Sequence, residues 1–324
     1  MTQSALERVA ACSCGSRDLA PATRGFPLEG SRFGLRRCAG CGRMLLDPRP
    51  SDGAIPDHYD EEYYGAGPRK FVPAVERVVE WFRDDRARLA ARFLSEPGRV
   101  LDVGCGSGQY LARLARMGHA CYGTELSAET GKRASQIPGL KLHFGPLEGG
   151  AFSPASFDLV SIWHVLEHLP DPDAVLRFCH GWLREGGALL VAVPNIDSWQ
   201  ARLFRGSWFH IDPPRHLHHF NRRSLRAALE ISGFRIERMN TLSLEQNLYG
   251  VLQSALNAVG FPRDEFYEVL KGNRSIVRSP RLQLQALLLM ALAPAAILFA
   301  TLEAVFGRGG TLECVARRPR RSAR

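Results

Sequence analysis

The sequence contains only one long run without charge. Among its 324 residues, Leu282–Leu302 alone combines the length of a membrane span with the absence of charged side chains. A multi-span membrane protein is therefore excluded. With 45% hydrophobic and 23% charged residues, the composition also excludes a disordered or collagen-like chain. At the usual ~100 to 200 residues per domain, the length predicts one main domain with one or two appendages.

Acidic residues are fewer than basic ones. The chain has 33 Asp and Glu against 42 Lys and Arg, which gives a net charge of +9. Basic residues are concentrated in the tail, at Arg317, Arg318, Arg320, Arg321 and Arg324. Such tails usually contact phosphate in lipid headgroups or nucleic acid, although a merely solvated tail has the same pattern. Nucleic acid is the less favoured partner, because aromatic residues are not clustered among the basic ones.

An apolar leader is also missing from the first residues. Glu7 and Arg8 interrupt the early apolar positions, so we expect no secretory signal. The eight cysteines are then expected in a reducing cytoplasm, where metal binding or free thiols are favoured over disulfides.

Four of these cysteines form a pattern that is close to a zinc ribbon. They read Cys12-Ser-Cys14-Gly and Cys38-Ala-Gly-Cys41-Gly, and two such turns can place four thiolates around one Zn²⁺. The first pair is irregular, because Ala11 stands where the leading cysteine of a regular knuckle would be. We predict a structural zinc ion bound by the four cysteines, with a metal-free remnant as the alternative.

Short apolar strands alternate with helices through the middle of the chain. The pattern predicts strands at 99–103, 119–125, 140–144, 157–163 and 188–194, and helices at 71–94, 110–117, 127–136 and 173–183. A helix at 224–232, a strand from 234 and a last strand at 311–316 follow. This alternation predicts an α/β fold with a mostly parallel sheet covered by helices on both faces.

A glycine loop follows the first of these strands, in the segment Val100-Leu-Asp-Val-Gly-Cys-Gly-Ser-Gly-Gln109. Gly104, Gly106 and Gly108 allow a sharp turn and a close approach of the backbone to a ligand at a helix N-terminus. Glu125 ends the next strand, where a carboxylate can bind both hydroxyls of a ribose. The loop therefore predicts a nucleoside-containing ligand.

Two residues distinguish between the possible ligands. A nicotinamide-binding fingerprint requires glycine at the position of Gln109. Asp102 adds a negative charge inside the strand, which does not favour a pyrophosphate. S-adenosylmethionine has a ribose, an amino group and a sulfonium, and it lacks phosphate. We therefore favour S-adenosylmethionine over a nicotinamide dinucleotide.

With these motifs the chain resembles the class I S-adenosylmethionine-dependent methyltransferases, in the branch of the ubiquinone-pathway O-methyltransferases. The resemblance implies a Rossmann-like seven-stranded sheet whose last strand is antiparallel and inserts beside the sixth. It also implies methyl transfer to a small-molecule or lipid-linked acceptor, at a hydroxyl. The segments that carry it are Leu101–Gly108, Gly123–Glu125, Ser156–Val160, Trp163–His168, Arg184–Gly187 and Val193–Asn195.

The resemblance also implies a set of cofactor contacts. Related proteins often carry an acidic residue that faces the adenine after the third strand, whereas this loop reads Gly145-Pro-Leu-Glu148. Adenine recognition is therefore expected to pass to Leu147 or to backbone groups. The residues implied for the methionine part and the ribose are Asp102, Gly104, Cys105, Gly106, Gly108, Glu125 and Leu126.

Candidate catalytic residues follow the fourth and fifth predicted strands. His164 comes at the end of a strand, where open α/β sheets bind ligands, although a capping or packing role is equally open. The segment 196–220 is predicted to be a substrate lid, because its histidines exceed what a plain loop requires. We predict that Arg215 and His216 face the substrate, with His216 as a general base and Trp208 and Tyr64 as further contacts. A metal at these histidines is a weaker alternative, because no pair shows a recognised ligand spacing.

The uncharged stretch Leu282–Leu302 is flanked by strands that should pair in one sheet, so a single membrane crossing is excluded. Pro294 is predicted to break it into two arms that are each too short to span a bilayer. We therefore expect a shallow hairpin or an interfacial helix pair at the inner face of an anionic membrane, with Arg274, Arg278 and Arg281 near headgroups. Burial on the protein or in a dimer interface is the alternative.

These observations predict five parts along the chain. They are a cysteine unit at 1–47, a linker and helix at 48–97, a cofactor-binding core at 98–245 that contains the lid, an apolar helical insertion at 246–310, and a last strand with a basic tail at 311–324. The leading function is a methyltransferase. A nicotinamide-dependent oxidoreductase and a nucleic-acid-binding protein that uses the cysteine unit and the tail are the alternatives.

Overall fold

The computed structural model describes residues 6–22, 26, 28, 31–59, 71–94 and 97–320. The chain forms two compact units, each built from separate segments. The first, here called the cysteine unit, contains Met1–Glu76, Pro194–Ser224 and Asn240–Leu312. The second, here called the sheet unit, contains Arg77–Val193, Leu225–Met239 and Glu313–Arg324.

The strands are β1 (Leu6–Glu7), β2 (Leu19–Pro21), β3 (Gly34–Cys38), β4 (Met44–Asp47), β5 (Arg49–Pro50), β6 (Arg99–Val103), β7 (Ala120–Glu125), β8 (Lys141–Phe144), β9 (Phe157–Trp163), β10 (Leu183–Pro194), β11 (His218–His219), β12 (Arg235–Asn240) and β13 (Thr311–Arg317). The α-helices in the described residues are α1 (Pro73–Ala91), α2 (Gln109–Arg116), α3 (Pro172–Trp182), α4 (Trp199–Phe204), α5 (Arg222–Ile231), α6 (Leu244–Ala258), α7 (Glu265–Leu270) and α8 (Pro280–Val305).

The large sheet has the strand order β12-β13-β10-β9-β6-β7-β8, seven strands in the part of the chain that the structure describes. Neighbours from β10 to β8 are parallel. The backbone of Gly186 bonds to that of Arg318, and Asn195 bonds to Gly310, so β13 runs antiparallel to β10. The predicted seven-stranded sheet, with an antiparallel last strand beside the sixth, is confirmed.

The core of the sheet unit joins helices to the central strands. Ala87 and Ala90 of α1 and Leu111 and Leu114 of α2 are fully buried in one cluster with residues of β6, β9 and β10. The buried parts of these three strands are mostly aliphatic, as expected for parallel strands without a solvent-facing side. The glycine loop follows the end of β6, so the packing of this strand between β7 and β9 positions the loop.

The prediction of a helix at 127–136 is wrong. This segment forms turns, with a single 3₁₀ turn at Ala134–Gln136. Ser127 and Thr130 exchange hydrogen bonds between side chain and backbone, with N–O distances of 3.1 and 3.2 Å. Such local bonds compete with helical ones. The ring of Phe144 also lies where a side chain at Gly131 would point, so the turn is packed against β8.

In the cysteine unit, a second sheet has the order β11-β4-β3-β2. His218 and His219 of the segment predicted to be a lid pair antiparallel with Leu45 and Met44. Apolar residues of the N-terminal segment and of this later segment share one core. The structure thus brings together in one unit three segments that the sequence analysis treats as separate parts.

The uncharged stretch lies in α8, a continuous helix of 26 residues that includes Pro294. The predicted break into two arms is therefore wrong. Pro294 is on the exposed side of the helix, where water can bind the backbone carbonyl that loses its partner, so the loss of one backbone bond is tolerated. Leu282, Ala296 and Ala300 are buried on the other side, and α8 packs against α6.

Candidate functional site

The glycine loop connects β6 to α2 within the sheet unit. Gly104, Gly106 and Gly108 have φ of 69°, 56° and 70°, a region that strains residues with a Cβ. A Cβ on Gly104 would lie 2.6 Å from Val165, whereas one on Gly106 would meet no described atom within 4 Å. The backbone at Gly106 therefore borders open space that a ligand can occupy.

Residues of the neighbouring strand β7 hold this loop in place. Thr124 Oγ1 accepts a hydrogen bond from Gly104 N at 3.1 Å, and its carbonyl accepts one from Cys105 N at 3.0 Å. The side chain of Cys105 is buried and packs directly on Gly123, where a Cβ would lie 2.5 Å from its sulfur. Cys105 thus supports the loop by packing, and it offers a ligand its backbone alone.

Asp102 lies in β6, two residues before the loop, and only 4% of it is exposed. Ser161 Oγ of β9 donates a hydrogen bond to Asp102 Oδ1 at 2.6 Å. Burial raises the pKa of Asp102 to about 7, and the nearby charge of Glu125 acts in the same direction, while the Ser161 hydroxyl opposes it. The site therefore holds a carboxyl group that a cationic ligand would ionise.

Glu125 ends β7 and turns its carboxylate toward the loop. Its Oε1 accepts a hydrogen bond from Gly106 N at 2.5 Å, and its Oε2 accepts one from Leu126 N at 3.3 Å. A carboxylate has about four acceptor positions, which suits the two hydroxyls of a ribose. Leu126 and Leu147, which follow β7 and β8, are partly exposed. The sheet unit thus places every predicted cofactor contact on neighbouring strand ends.

His164 follows β9 in the same unit. Its φ of 54° is unusual for a residue with a side chain, and its backbone N bonds to Ala192 O at 2.9 Å. The ring Nδ1 lies 3.6 Å from Oε1 of Glu167, which is almost fully buried. The backbone of His164 is therefore strained, and its imidazole lies beside a carboxylate at the edge of the sheet where ligands bind.

The predicted acceptor residues lie in the cysteine unit. Arg215 makes two hydrogen bonds to the carboxylate of Asp212, at 2.9 and 2.5 Å. His216 is buried, and its Nδ1 is 2.8 Å from His210 O, which leaves Nε2 3.9 Å from Asp212 Oδ2. This arrangement orders both side chains around one aspartate.

Trp208 is fully buried in the core of this unit, and its indole N–H donates to Gln200 Oε1 at 3.0 Å. This position argues against direct contact with a substrate. Tyr64, the other predicted substrate contact, lies outside the described residues.

The four early cysteines come together. Cys12 Sγ is 3.7 Å from Cys41 Sγ, Cys14 Sγ is 3.6 Å from Cys38 Sγ, and all four sulfurs lie within 4.8 Å of one another. The hydrogen bond from Cys12, and to a smaller extent the charge of Arg43, lowers the pKa of Cys41 to about 5. The shorter first turn therefore still brings its sulfurs into the cluster.

Sequence reasoning did not identify Ser161 and Thr124, which support the site from neighbouring strands. A signal was present, because each is a polar residue within a buried strand and needs a hydrogen-bond partner there. Ser161 stands in the otherwise apolar run Leu159-Val-Ser-Ile162. Such an isolated hydroxyl beside the strand that carries Asp102 predicts a bond across the sheet.

Residues 75–238, half of the chain, match a protein-family model described as a methyltransferase domain. The chain belongs to this methyltransferase family. It is 34% identical over 135 residues to a ubiquinone biosynthesis O-methyltransferase of Xanthomonas euvesicatoria pv. vesicatoria (strain 85-10), over 40% of this chain and 54% of that protein. It is 31% identical over 124 residues to the ubiquinone biosynthesis O-methyltransferase of Pseudomonas putida (strain GB-1), over 36% and 50%. The chain thus spans about half the length of the curated relatives it matches.

Among solved structures, the chain resembles phosphoethanolamine N-methyltransferase 2 of Haemonchus contortus in complex with S-adenosyl-L-methionine. The TM-score is 0.53 at 16% identity, over 86% of this chain and 63% of that one. This likeness supports the fold. The family supports S-adenosylmethionine as the cofactor and disfavours the oxidoreductase and nucleic-acid-binding alternatives.

Proposed function

We propose that this protein transfers a methyl group from S-adenosylmethionine to a hydroxyl of a small-molecule or lipid-linked acceptor. One observation carries the proposal: Asp102 and Glu125, two buried carboxylates on adjacent strand ends, flank a glycine loop that borders open space. The relatives named as ubiquinone biosynthesis O-methyltransferases support oxygen as the acceptor atom.

The residues present are suited to this cofactor. Glu125 would accept hydrogen bonds from the ribose hydroxyls, and Asp102 would face the amino group, whose charge favours its ionised form. The backbone of Gly106 approaches the ligand, and Leu126 and Leu147 offer apolar surface for the adenine. When bound, S-adenosylmethionine supplies a methyl group on a sulfonium that is already a good leaving group.

An acceptor hydroxyl must also lose its proton. His164 is the first candidate base, because Glu167 lies on one side of its ring and can orient it and stabilise the imidazolium. His216 is the second candidate, because its Nδ1 is bonded to His210 O and its Nε2 lies 3.9 Å from Asp212 Oδ2, so the ring is held beside a carboxylate. Arg215 would bind an anionic group of the acceptor.

The decisive test is calorimetric titration of the purified protein with S-adenosylmethionine. We expect Glu125→Gln to weaken binding about 10- to 100-fold, because hydrogen bonds to a charged group contribute ~1.5 to 3 kcal/mol. The amide keeps an oxygen for Gly106 N, so the loop should be preserved. Glu148→Gln, an exposed neutralisation in the neighbouring loop, is the matched control and should bind like the native chain. Equal affinity in native and Glu125→Gln protein would overturn the assignment.

We propose further that the cysteine cluster binds a structural zinc ion. Tetrahedral Zn²⁺ with Zn–S bonds of ~2.3 Å separates its sulfurs by about 3.8 Å, close to the 3.6 and 3.7 Å of the two pairs. The guanidinium of Arg43 is fully buried, and its charge favours the thiolate form of Cys41. Zinc bound by thiolates is consistent with the reducing cytoplasm that we propose as the location.

The outer face of α8 supports attachment to the cytoplasmic face of a membrane, which we also propose. The helix is long and apolar enough to span a bilayer, with a mean hydropathy of 2.1 over its best window, yet one side of it is packed on α6. The other side exposes large apolar residues along its whole length, which include Leu287, Met290 and Leu298. A helix that packs by one face and exposes an apolar face can lie in the interface without crossing it.

The charges near this helix contribute less than the sequence predicts. Arg274 and Arg281 both pair with the buried carboxylate of Glu265, at 2.8 and 2.5 Å, and so neutralise it. In the tail, Arg318 donates to three backbone carbonyls near the end of α3, and Arg317 binds Gly186 O. The membrane proposal therefore rests on the apolar face of α8.

Flotation with vesicles of phosphatidylcholine and phosphatidylglycerol tests this proposal. The double variant Leu287→Glu, Leu298→Glu should leave the vesicle fraction, because burying charge in the acyl region is costly. Ile231→Glu replaces a similarly exposed apolar residue, 67% against 60% and 62% exposed, on another helix and should float like the native chain. A native protein that does not float, and that becomes monomeric only in the double variant, would show a dimer interface instead.

A further inference from the structure

The cysteine cluster is joined to the acceptor segment, defined here as residues 215–220. Strand β11, which lies in that segment, pairs with β4, and Leu46 N donates to Leu217 O at 3.0 Å. β4 in turn pairs with β3, which ends at Cys38. The acceptor segment is thus the fourth strand of the sheet from which one cysteine pair emerges.

A second set of bonds joins the cysteine turn itself to the residues that follow the acceptor segment. Asn221 Nδ2 donates to Gly42 O at 3.3 Å, and Arg223 Nη2 donates to Gly40 O at 3.0 Å. Both carbonyls belong to the turn that holds Cys38 and Cys41. A bound metal would fix the conformation of this turn. Because Asn221 and Arg223 bond to the turn, its conformation directly affects the residues that follow the acceptor segment.

Arg43 connects the cluster and the acceptor segment through its side chain. It is fully buried, and its Nη1 donates to Ser13 Oγ, between the first two cysteines, at 2.5 Å. The centre of its guanidinium lies 4.6 Å from the ring centroid of Phe220. Its backbone carbonyl accepts from Cys38 N at 2.9 Å. A single residue therefore contacts both cysteine turns and the end of the acceptor segment.

We propose that Arg43 is a positioning residue that makes the order of the acceptor segment depend on metal in the cysteine cluster. The proposal rests on the function proposed above, since it takes Arg215 and His216 to face the acceptor. The guanidinium charge is compensated when four thiolates hold a divalent ion, because that group carries a net charge of about −2. Loss of the metal frees the two cysteine turns, to which Arg43 is bonded through Ser13 Oγ and Cys38 N, and so releases Phe220 from the guanidinium.

Hydrogen exchange of the full-length protein, followed by mass spectrometry, tests the link. The amides of 215–220 should exchange about tenfold faster after chelation of zinc, while those of 99–108 in the sheet unit keep their rates. Readdition of zinc alone should restore the protection. Calorimetry on the same samples should show unchanged affinity for S-adenosylmethionine.

Variants separate a positioning role from a merely structural one. With zinc bound, Arg43→Gln should show the fast exchange of the metal-free protein at 215–220, and Arg43→Lys should recover part of the protection because it keeps the cation over Phe220. Arg37→Gln, which neutralises an exposed arginine on β3 of the same sheet, is the matched control and should behave like the native protein. Absorption spectra of the cobalt-substituted variants test independently whether each variant still binds metal, because cobalt bound to thiolates has charge-transfer bands.

The outcomes are distinct. Exchange at 215–220 that is unaffected by chelation, or equal in native and Arg43→Gln protein, would overturn the link. Failure of every form to bind S-adenosylmethionine would instead contradict the proposed function and leave the exchange result intact.

Discussion

Each unit contains a buried carboxyl group whose pKa burial raises to about 7: Asp102 in the sheet unit and Glu303 in the cysteine unit. Among the described residues, Asp102 accepts one hydrogen bond, from Ser161. Glu303 accepts three, from Gln200 N, Gln200 Nε2 and Gly310 N. This difference in the number of hydrogen bonds indicates that the two buried carboxyl groups have different roles. Glu303 has three of about four acceptor positions filled and joins α8 to α4 and to Gly310, whereas Asp102 has one filled and lies beside an open loop.

Neutral isosteres should therefore change stability in opposite directions. Asp102→Asn removes a buried charge that few donors compensate, so we expect the thermal unfolding of the sheet unit at pH 8 to shift upward, by ~1 to 3 kcal/mol in free energy. Glu303→Gln turns an N–H₂ group toward existing donors and should destabilise the cysteine unit by ~1 to 3 kcal/mol. Calorimetric unfolding of both variants measures the contrast.

The sign for Asp102 follows from its pKa. The carboxyl group is ionised above about 4 in the unfolded chain and above about 7 in the folded one, so folding takes up a proton between these values. Its contribution to stability therefore falls as the pH rises from 4 to 7 and stays low above 7. Two variants that shift unfolding in the same direction at pH 8 would show that the two carboxyl groups play equivalent roles.

The pH dependence of S-adenosylmethionine binding should show a smaller difference between Asp102 and Glu303. If the cofactor amino group requires ionised Asp102, affinity for S-adenosylmethionine should rise up to about tenfold per pH unit below pH 7 and level off above it. Asp102→Asn should bind weakly and lose this pH dependence, whereas Glu303→Gln should keep the native profile. Titrations at pH 6, 7 and 8 measure the three curves. A native profile in Asp102→Asn protein would assign the pH dependence to another group.

The sheet unit could be predicted almost completely from the sequence. Its strands are short apolar runs with a local signal at each end, and β6 and β9 begin and end at the predicted residues. The glycine loop and Glu125 are specified by residues adjacent in the chain, so their positions follow once the strands pair. The exception at 127–136 arose because hydrogen bonds of Ser127 and Thr130 favour turns over a helix.

The cysteine unit could not be predicted in the same way, because its contacts join positions far apart in the chain. Nothing near Arg43 indicates that it packs against Phe220, and Gln200 gives no local sign that it meets Glu303. The continuous α8 shows the same limit. Pro294 predicts a break by its local chemistry, but packing along the opposite side of the helix outweighs the loss of one hydrogen bond.

The most direct test of the central claim is a crystal structure of the protein with S-adenosylhomocysteine. We expect both ribose hydroxyls to bond to the carboxylate of Glu125. The ligand amino group should lie on the side of Asp102, with the backbone of Gly106 against the ligand. A ligand bound elsewhere, or bound at the loop with its ribose away from Glu125, would contradict it.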